Sequence, residues 1–125
     1  MIAHTSVAVK DYQKSKEFYL KTLAPLGYTI GMDVPEYNAC GFKDSQGKQD
    51  FWIGANPKAS GVHVAFVAQS KEQVDAFHAA AVAAGGKDNG APGYREQYNP
   101  SYYAAFVHDF DDSNIEAVWF DPAKK

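Results

Sequence analysis

The sequence contains a single cysteine, Cys40, and no apolar run long enough to span a membrane. One cysteine excludes an intrachain disulfide and any metal site built from several thiolates. Cys40 lies in the small, apolar run 39–42, so we expect a buried hydrophobic residue there, with a catalytic thiol as the alternative. The N-terminal residues lack the charged and apolar regions of a signal peptide, and we therefore expect a cytoplasmic protein.

Neither sign of charge dominates, because 12 Lys and Arg stand against 15 Asp and Glu, a net charge of −3. No basic stripe is present, so neither nucleic acid nor a membrane surface is an expected partner. Glycine-rich phosphate loops, the His-Glu-x-x-His helix and the Gly-x-Ser-x-Gly turn are also missing, so nucleophilic serine catalysis has no support. What remains is a chain of 125 residues, 46% apolar, which is typical of one globular domain.

The chain repeats itself. The segment 4–9, His-Thr-Ser-Val-Ala-Val, resembles 63–68, His-Val-Ala-Phe-Val-Ala, at an offset of 59 residues. At the same offset Phe18 matches Phe77 and Gly27 matches Gly86. We therefore expect a single domain over residues 1–125, made of two similar units, about 1–56 and 61–125, joined by a turn-rich segment.

Each unit reads as a strand, a helix and three further strands. Asp11 is a predicted N-cap of the first helix, and Ser70 with Gln73 forms a predicted capping box for the second. In the second unit the later strands are predicted around 94–96, 102–108 and 115–120, with turns at 89–90 and 92–93. The predicted fold class is α+β: two tandem βαβββ modules forming a curved, partly open, barrel-like sheet with the helices outside.

Three strands carry metal-ligand side chains. His4 and His63 occupy equivalent places in the repeat, each on the face opposite the apolar residues of its strand. Glu116 lies inside an apolar strand, where an unpaired carboxylate is costly. Two imidazoles and one carboxylate are the donors of a facial triad, which binds Fe, Mn, Ni or Zn and leaves positions open for substrate oxygens. The alternative is that each His is structural and that Glu116 pairs with Arg95.

The pattern resembles a known family. His4, Phe18-Tyr19, Leu26-Gly27, His63, Gly85-Gly86, Asp109-x-Asp111 and Asn114-Ile115-Glu116 together look like the vicinal oxygen chelate superfamily, which includes glyoxalases, bleomycin resistance proteins and extradiol dioxygenases. The resemblance covers essentially the whole chain. In the turn 109–114, Phe110 and Asp112 stand where the family usually has Pro and Gly.

The resemblance implies a divalent-metal site formed by His4, His63 and Glu116. The family's fourth ligand would fall on Phe51, or on Trp52 after a shift of one residue, and neither can bind a metal. Four-ligand glyoxalase I chemistry is thereby disfavoured. The resemblance also implies a homodimer, whose metal ligands could come from one chain or from two.

Further site candidates follow from the residue types. Tyr102 and Arg95, with Glu116, are candidates for catalysis, because a phenol or a guanidinium can stabilise an oxyanion. Phe51, Trp52 and Tyr103 are candidates for the wall of a substrate pocket. Packing of the strands is the competing explanation for the tyrosines, and solvation or ion pairing for Arg95.

Three functions are compatible with these residues. The first is a metal-dependent lyase, isomerase or dioxygenase acting on a small substrate chelated through adjacent oxygens. The second is a metal-free protein that binds a small molecule or an antibiotic, as resistance proteins do. The third is a domain that acts by binding a partner protein.

Overall fold

The computed structural model describes residues 1–124 and contains the β-α-β-β-β order twice. The first module consists of β1 Thr5–Val9, α1 Tyr12–Leu23, β2 Thr29–Val34, β3 Ala39–Lys43 and β4 Phe51–Ala55. The second consists of β5 His63–Val67, α2 Lys71–Ala83, β6 Lys87–Tyr94, β7 Tyr102–His108 and β8 Asn114–Phe120. Short 3-10 helices, Ala24–Leu26 and Pro35–Tyr37, flank β2. The expected α+β fold of two tandem βαβββ modules is confirmed.

Each module forms its own mixed, four-stranded sheet. The strand order is β1-β4-β3-β2 in the first sheet and β5-β8-β7-β6 in the second. The first strand of each module pairs in parallel with the last, and the other neighbours are antiparallel. Within residues 1–124 the two sheets stay separate and no closed barrel forms, so β1 and β5 are both edge strands.

Both helices begin at the predicted caps. The Asp11 side chain accepts a hydrogen bond from the backbone N–H of Lys14, and the Ser70 hydroxyl accepts one from that of Gln73. These bonds satisfy amide donors that the first helical turn leaves free. Each helix buries one face, as the three- and four-residue spacing of these side chains requires: Tyr12, Ser15, Phe18, Tyr19, Thr22 and Leu23 in α1, and Val74, Phe77 and Ala81 in α2.

One continuous core joins the modules. The helices α1 and α2 pack against each other, and each packs against its own sheet. Phe66 of β5 contacts Phe51 and Tyr28 of the first module with edge-to-face geometry. Cys40 is fully buried in this core, as predicted, and burial raises the pKa of its thiol.

The modules are also joined by polar contacts at the turn 109–114. The Tyr19 hydroxyl of α1 donates a 2.5 Å hydrogen bond to Asp109. The backbone N–H of Lys10 donates to Asp111, and the Phe110 ring packs on Phe18. Asp112 adopts the left-handed conformation, φ 63°, as expected for a residue that replaces a turn glycine.

The edge strand β6 departs from the prediction. The predicted turns at 89–90 and 92–93 lie inside this strand instead of ending it, and the predicted strand 94–96 begins where β6 ends. The pairing of β6 with β7 shifts between Asp88 and Gly90 and again between Gly90 and Gly93. Glycine and proline are tolerated at bulges and on an edge strand, so the residues that predicted turns form bulges within β6 instead. Among residues 1–124, no helix has the length and apolar character that crossing a bilayer requires.

Candidate active site

Each sheet buries one face and leaves the other open. In the second module Ile115 and Ala117 of β8 point into the core, and Glu116 between them points to the opposite side. His63 of β5 and Tyr102 of β7 lie on that side as well, because strand side chains alternate. The face of the second sheet that carries His63, Tyr102 and Glu116 is called the open face below.

Glu116 is the centre of this face. One carboxylate oxygen, Oε1, lies 2.9 Å from His63 Nε2, and the other, Oε2, accepts a hydrogen bond from the Tyr102 hydroxyl. The Glu116 side chain is 2% exposed, whereas that of His63 is 54% exposed. The buried carboxylate of Glu116 is thus hydrogen-bonded by two partners, and one of them, the His63 imidazole, is accessible to solvent.

The Tyr102 phenol is a hydrogen-bond donor. Burial, followed by its hydrogen bond to Glu116, raises the pKa of Tyr102 above its usual range, so the proton stays on the phenol at neutral pH. In register, Ala104 and Val118 lie between Tyr102 and Glu116 on the open face, and both are buried. Small residues at these positions leave room for the tyrosine ring to run along the sheet and reach the carboxylate.

The spacing of His63 and Glu116 fits two ligands of one metal ion. Metal–ligand bonds of about 2.1 Å at right angles place neighbouring donor atoms about 3.0 Å apart. The observed 2.9 Å between His63 Nε2 and Glu116 Oε1 is a hydrogen-bond distance, and it is also compatible with that separation. The residues present therefore suit a divalent ion in donor type and in spacing.

His4 does not join this pair within one chain. It lies in the exposed segment before β1. Nowhere in residues 1–124 do three or more His, Cys, Asp or Glu side chains come close enough to hold a metal ion. The structure brings together two of the three predicted ligands, His63 and Glu116, and leaves the third apart.

The repeat position of Glu116 is occupied by Trp52. Ala65 of β5 pairs with Glu116, and its repeat equivalent, Ser6 of β1, pairs with Trp52. Phe51 precedes Trp52 by one residue, so its side chain points to the other face of the sheet, into the core, with 1% exposure. The alignment that set Phe51 opposite Glu116 was therefore one residue out of register. The Trp52 indole covers Gly41, where a Cβ atom would lie 2.8 Å from the ring.

The remaining predicted residues are spread over both faces of the second sheet. Tyr103 points away from Glu116 into the core, where its hydroxyl donates a 2.6 Å hydrogen bond to Asp75 of α2. Arg95 is bound to backbone carbonyls and forms no ion pair with Glu116. The Glu116–Arg95 pairing considered as an alternative is absent from the described chain.

A cleft of about 850 Å³ lies between the modules beside β5. Its walls include Thr5, Tyr28, Asp50, Phe51, His63 and Phe66. Glu116 and Tyr102 do not line this cleft, and of the three site residues only His63 reaches it. His63 therefore stands at the boundary between the cleft and the open face.

Sequence reasoning overlooked Phe106. This residue pairs with Glu116 across β7 and β8, and its ring centroid lies 6.5 Å from that of His63. It has the same parity as Tyr102 in β7, and that alternation could have identified it as part of the open face.

Comparison with known proteins agrees with this architecture. The profile of the Glyoxalase/Bleomycin resistance protein/Dioxygenase superfamily matches residues 1–116. A glyoxalase/bleomycin resistance protein from Albidiferax ferrireducens T118 is 31% identical, with 94% of this chain and 97% of that chain covered and a TM-score of 0.82. Among curated proteins, none matches the chain in sequence.

More distant structures share the fold. A glyoxalase/bleomycin resistance protein/dioxygenase family enzyme from Burkholderia phytofirmans PsJN is 16% identical, with a TM-score of 0.69 over 95% of this chain and 98% of that one. The genomically encoded fosfomycin resistance protein FosX from Listeria monocytogenes is 19% identical, with a TM-score of 0.71 over 98% and 95%. With the profile match over most of its length, this chain belongs to the Glyoxalase/Bleomycin resistance protein/Dioxygenase superfamily.

Proposed function

We propose that this protein is a divalent-metal-dependent enzyme of the lyase, isomerase or dioxygenase type. Its substrate is a small molecule that chelates the metal through two adjacent oxygen atoms. The observation that carries the proposal is the 2.9 Å separation of His63 Nε2 and Glu116 Oε1, which suits two neighbouring ligands of one ion. Membership of a superfamily that contains many enzymes supports it.

The third ligand in this proposal is His4 of a second copy of the chain. His4 is the repeat equivalent of His63, it is exposed, and it precedes the edge strand β1. The edge of β5, where His63 lies, is also unpaired in the single chain. A homodimer that brings β1 of one copy to β5 of the other supplies the missing imidazole and gives two identical sites.

The protein's own groups have separate tasks at such a site. His63 and Glu116 bind the ion, which when present acts as a Lewis acid toward substrate oxygens. Tyr102 holds Oε2 of Glu116, so that Oε1 is directed toward His63. The burial of Glu116 keeps water from competing for its oxygens.

Metal analysis tests the core of the proposal. The protein, purified without chelators and reconstituted with Fe, Mn, Ni or Zn, is expected to hold about one ion per chain. Glu116→Gln is expected to lose it, and Glu72→Gln, on the exposed surface of α2, is the control that keeps it. Less than about a tenth of an equivalent of every metal in the wild type contradicts the proposal.

Mixing two defective variants tests the sharing of the site. His4→Ala and Glu116→Gln chains, co-refolded at equal amounts, form intact sites only in mixed dimers, so about a quarter of an equivalent of metal per chain is expected. His63→Ala mixed with Glu116→Gln is the matched control and regains none, because both residues belong to the same open face. No recovery in the first mixture contradicts the two-chain site.

A second candidate function is metal-free binding of a small molecule, as in resistance proteins. The observation in its favour is Trp52, an aromatic side chain at the position equivalent to Glu116. Under this alternative, a bulky cationic drug raises the melting temperature of the metal-free protein while metal ions leave it unchanged. The opposite pattern favours the enzyme.

A further inference from the structure

Arg95 is fixed on the open face by backbone contacts. Its Nη1 donates to the carbonyl of Gly93 and its Nη2 to that of Ala91, each at 2.8 Å. Its own backbone N–H donates to the Tyr102 carbonyl at 2.7 Å. The half-buried side chain is thereby held in one orientation, and little conformational freedom remains to be lost when a ligand binds.

The guanidinium lies over the Phe106 ring, with 5.3 Å between Cζ and the ring centroid. Gly90 makes room for this arrangement. A Cβ atom at Gly90 would lie 2.9 Å from the Phe106 ring and 3.1 Å from Arg95 Nη2. The two register shifts of β6, before and after Gly90, thus leave room for the Arg95 side chain.

The positive charge of Arg95 has no carboxylate partner in the described part of the chain. The close contacts there between a basic side chain and a carboxylate are Lys16–Asp33, His63–Glu116 and His78–Asp88. Two of the five guanidinium N–H donors are used by the carbonyls, and three remain for a ligand. A fixed cation with free donors is suited to binding an oxyanion.

Arg95 lies near the proposed metal ligands. The Phe106 ring is 6.5 Å from the His63 ring, and Arg95 Cζ is 5.3 Å from Phe106, so these distances place Arg95 Cζ and His63 within about 12 Å of each other. A small molecule can span that interval, with one end at Arg95 and the other at His63 and Glu116.

We propose that Arg95 recognises the anionic group of the substrate, a carboxylate or a phosphonate, while the adjacent oxygens at the substrate's other end face His63 and Glu116. Only the part of this inference that concerns His63 and Glu116 rests on the proposed function. The anion site itself is present in the single chain and does not require metal. The substrate class is therefore a small organic anion with a pair of neighbouring oxygen donors.

Binding of methylphosphonate and of acetate to the full-length, metal-free protein tests the proposal. Titration is followed by NMR at the Nε–Hε group of Arg95, and the neutral dimethyl ester of methylphosphonate is the control probe. We expect saturable shifts of that group with one or both anions and none with the ester. The anion that binds more tightly identifies the headgroup. No shift with either anion up to about 20 mM, or equal binding of the ester, overturns the proposal.

Arg95→Gln is expected to weaken binding of the preferred anion about tenfold or more, because the charge and the fork of donors are both lost. Lys87→Gln removes the same charge from an exposed position of β6 and is expected to change binding less than about twofold. Equal effects of the two substitutions contradict a specific site. Anion binding without metal binding refutes only the proposed function, and metal binding without anion binding refutes only the role of Arg95.

Discussion

The hydroxyl of Tyr19 in α1 donates a 2.5 Å hydrogen bond to Asp109, 90 residues further along the chain, and both side chains are buried. The other oxygen of Asp109 accepts the backbone N–H groups of Asp111 and Ser113. One carboxylate therefore shapes the turn between β7 and β8 and ties it to the first module. Burial, followed by the charge of Asp109, raises the pKa of Tyr19 well above its usual range.

Removing this hydroxyl should destabilise the whole domain. In Tyr19→Phe a buried carboxylate oxygen loses its partner, so we expect the free energy of unfolding to fall by about 2 kcal/mol. Urea denaturation measures the change. Tyr94→Phe, which loses a hydrogen bond to Asp121 from a half-buried ring, is the control and should cost less. Equal losses of stability in the two variants would contradict a larger contribution from the buried hydrogen bond between the modules.

Asp111 should reduce stability at neutral pH. Burial raises the pKa of this carboxyl, and its Oδ2 has no hydrogen-bond partner within the described residues. A raised folded-state pKa means that the charged form costs stability above that pKa and that the cost disappears as the carboxyl protonates in acid. We expect Asp111→Asn to gain about 0.5–1 kcal/mol at pH 7 and to lose that advantage as the pH falls toward about 4.

The matched control for Asp111 is Asp112→Asn. Asp112 is exposed and has φ 63°, a conformation that Asn also accepts, so its stability should be nearly unchanged at every pH. Thermal unfolding across pH 4–7 compares the two variants. An Asp111→Asn advantage that does not depend on pH would contradict the ionisation argument.

Asp33 should contribute stability with the opposite pH dependence. Hydrogen bonds from Lys16 and Tyr12 lower the pKa of this carboxyl. A lowered folded-state pKa gives stability that is present above the unfolded value, near 3.8, and is lost as the pH falls through the lower folded value. Asp33→Asn should therefore be less stable than the wild type at pH 7, with the difference shrinking below about pH 4. Acid titration followed by circular dichroism measures this convergence.

Tyr102 should tune metal binding without being a ligand. Its hydroxyl holds Oε2 of Glu116, and loss of such a contact behind a ligand typically costs 10- to 100-fold in affinity. We expect Tyr102→Phe to weaken metal binding about tenfold, measured by competition with a chelator of known affinity. Tyr98→Phe removes an exposed hydroxyl from the ring that packs on Tyr102 and should have little effect. Unchanged metal affinity in Tyr102→Phe would mean that Tyr102 contributes only to packing.

Much of the fold could be read from local patterns. The Asp11 and Ser70 caps, the apolar stripes of both helices and the parity of Glu116 are properties of short segments, and their structures agree. The bulges of β6 could not be read, because glycine and proline signal a turn and a bulge alike. The pairing of β6 with β7 determines that these residues form bulges and not turns.

Site residues could be predicted from the sequence only where the alternation of side chains along a single strand fixed their positions. Asp44 and Asp109 shape similar turns, each accepting N–H groups two and four residues ahead, which made the two loops appear alignable. The first module then has one more residue before its last strand, and only pairing with β1 reveals that Trp52, not Phe51, matches Glu116. The fixed position of Arg95 depends on carbonyls and a ring that no local pattern brings together.

The indole that covers Gly41 makes the two halves of the chain chemically unequal. A duplicated scaffold can in principle carry a reactive centre in each copy. Here the first copy presents an uncharged aromatic side chain where the second presents an acid, so of these two equivalent strand positions only that of Glu116 carries a side chain able to coordinate a metal ion.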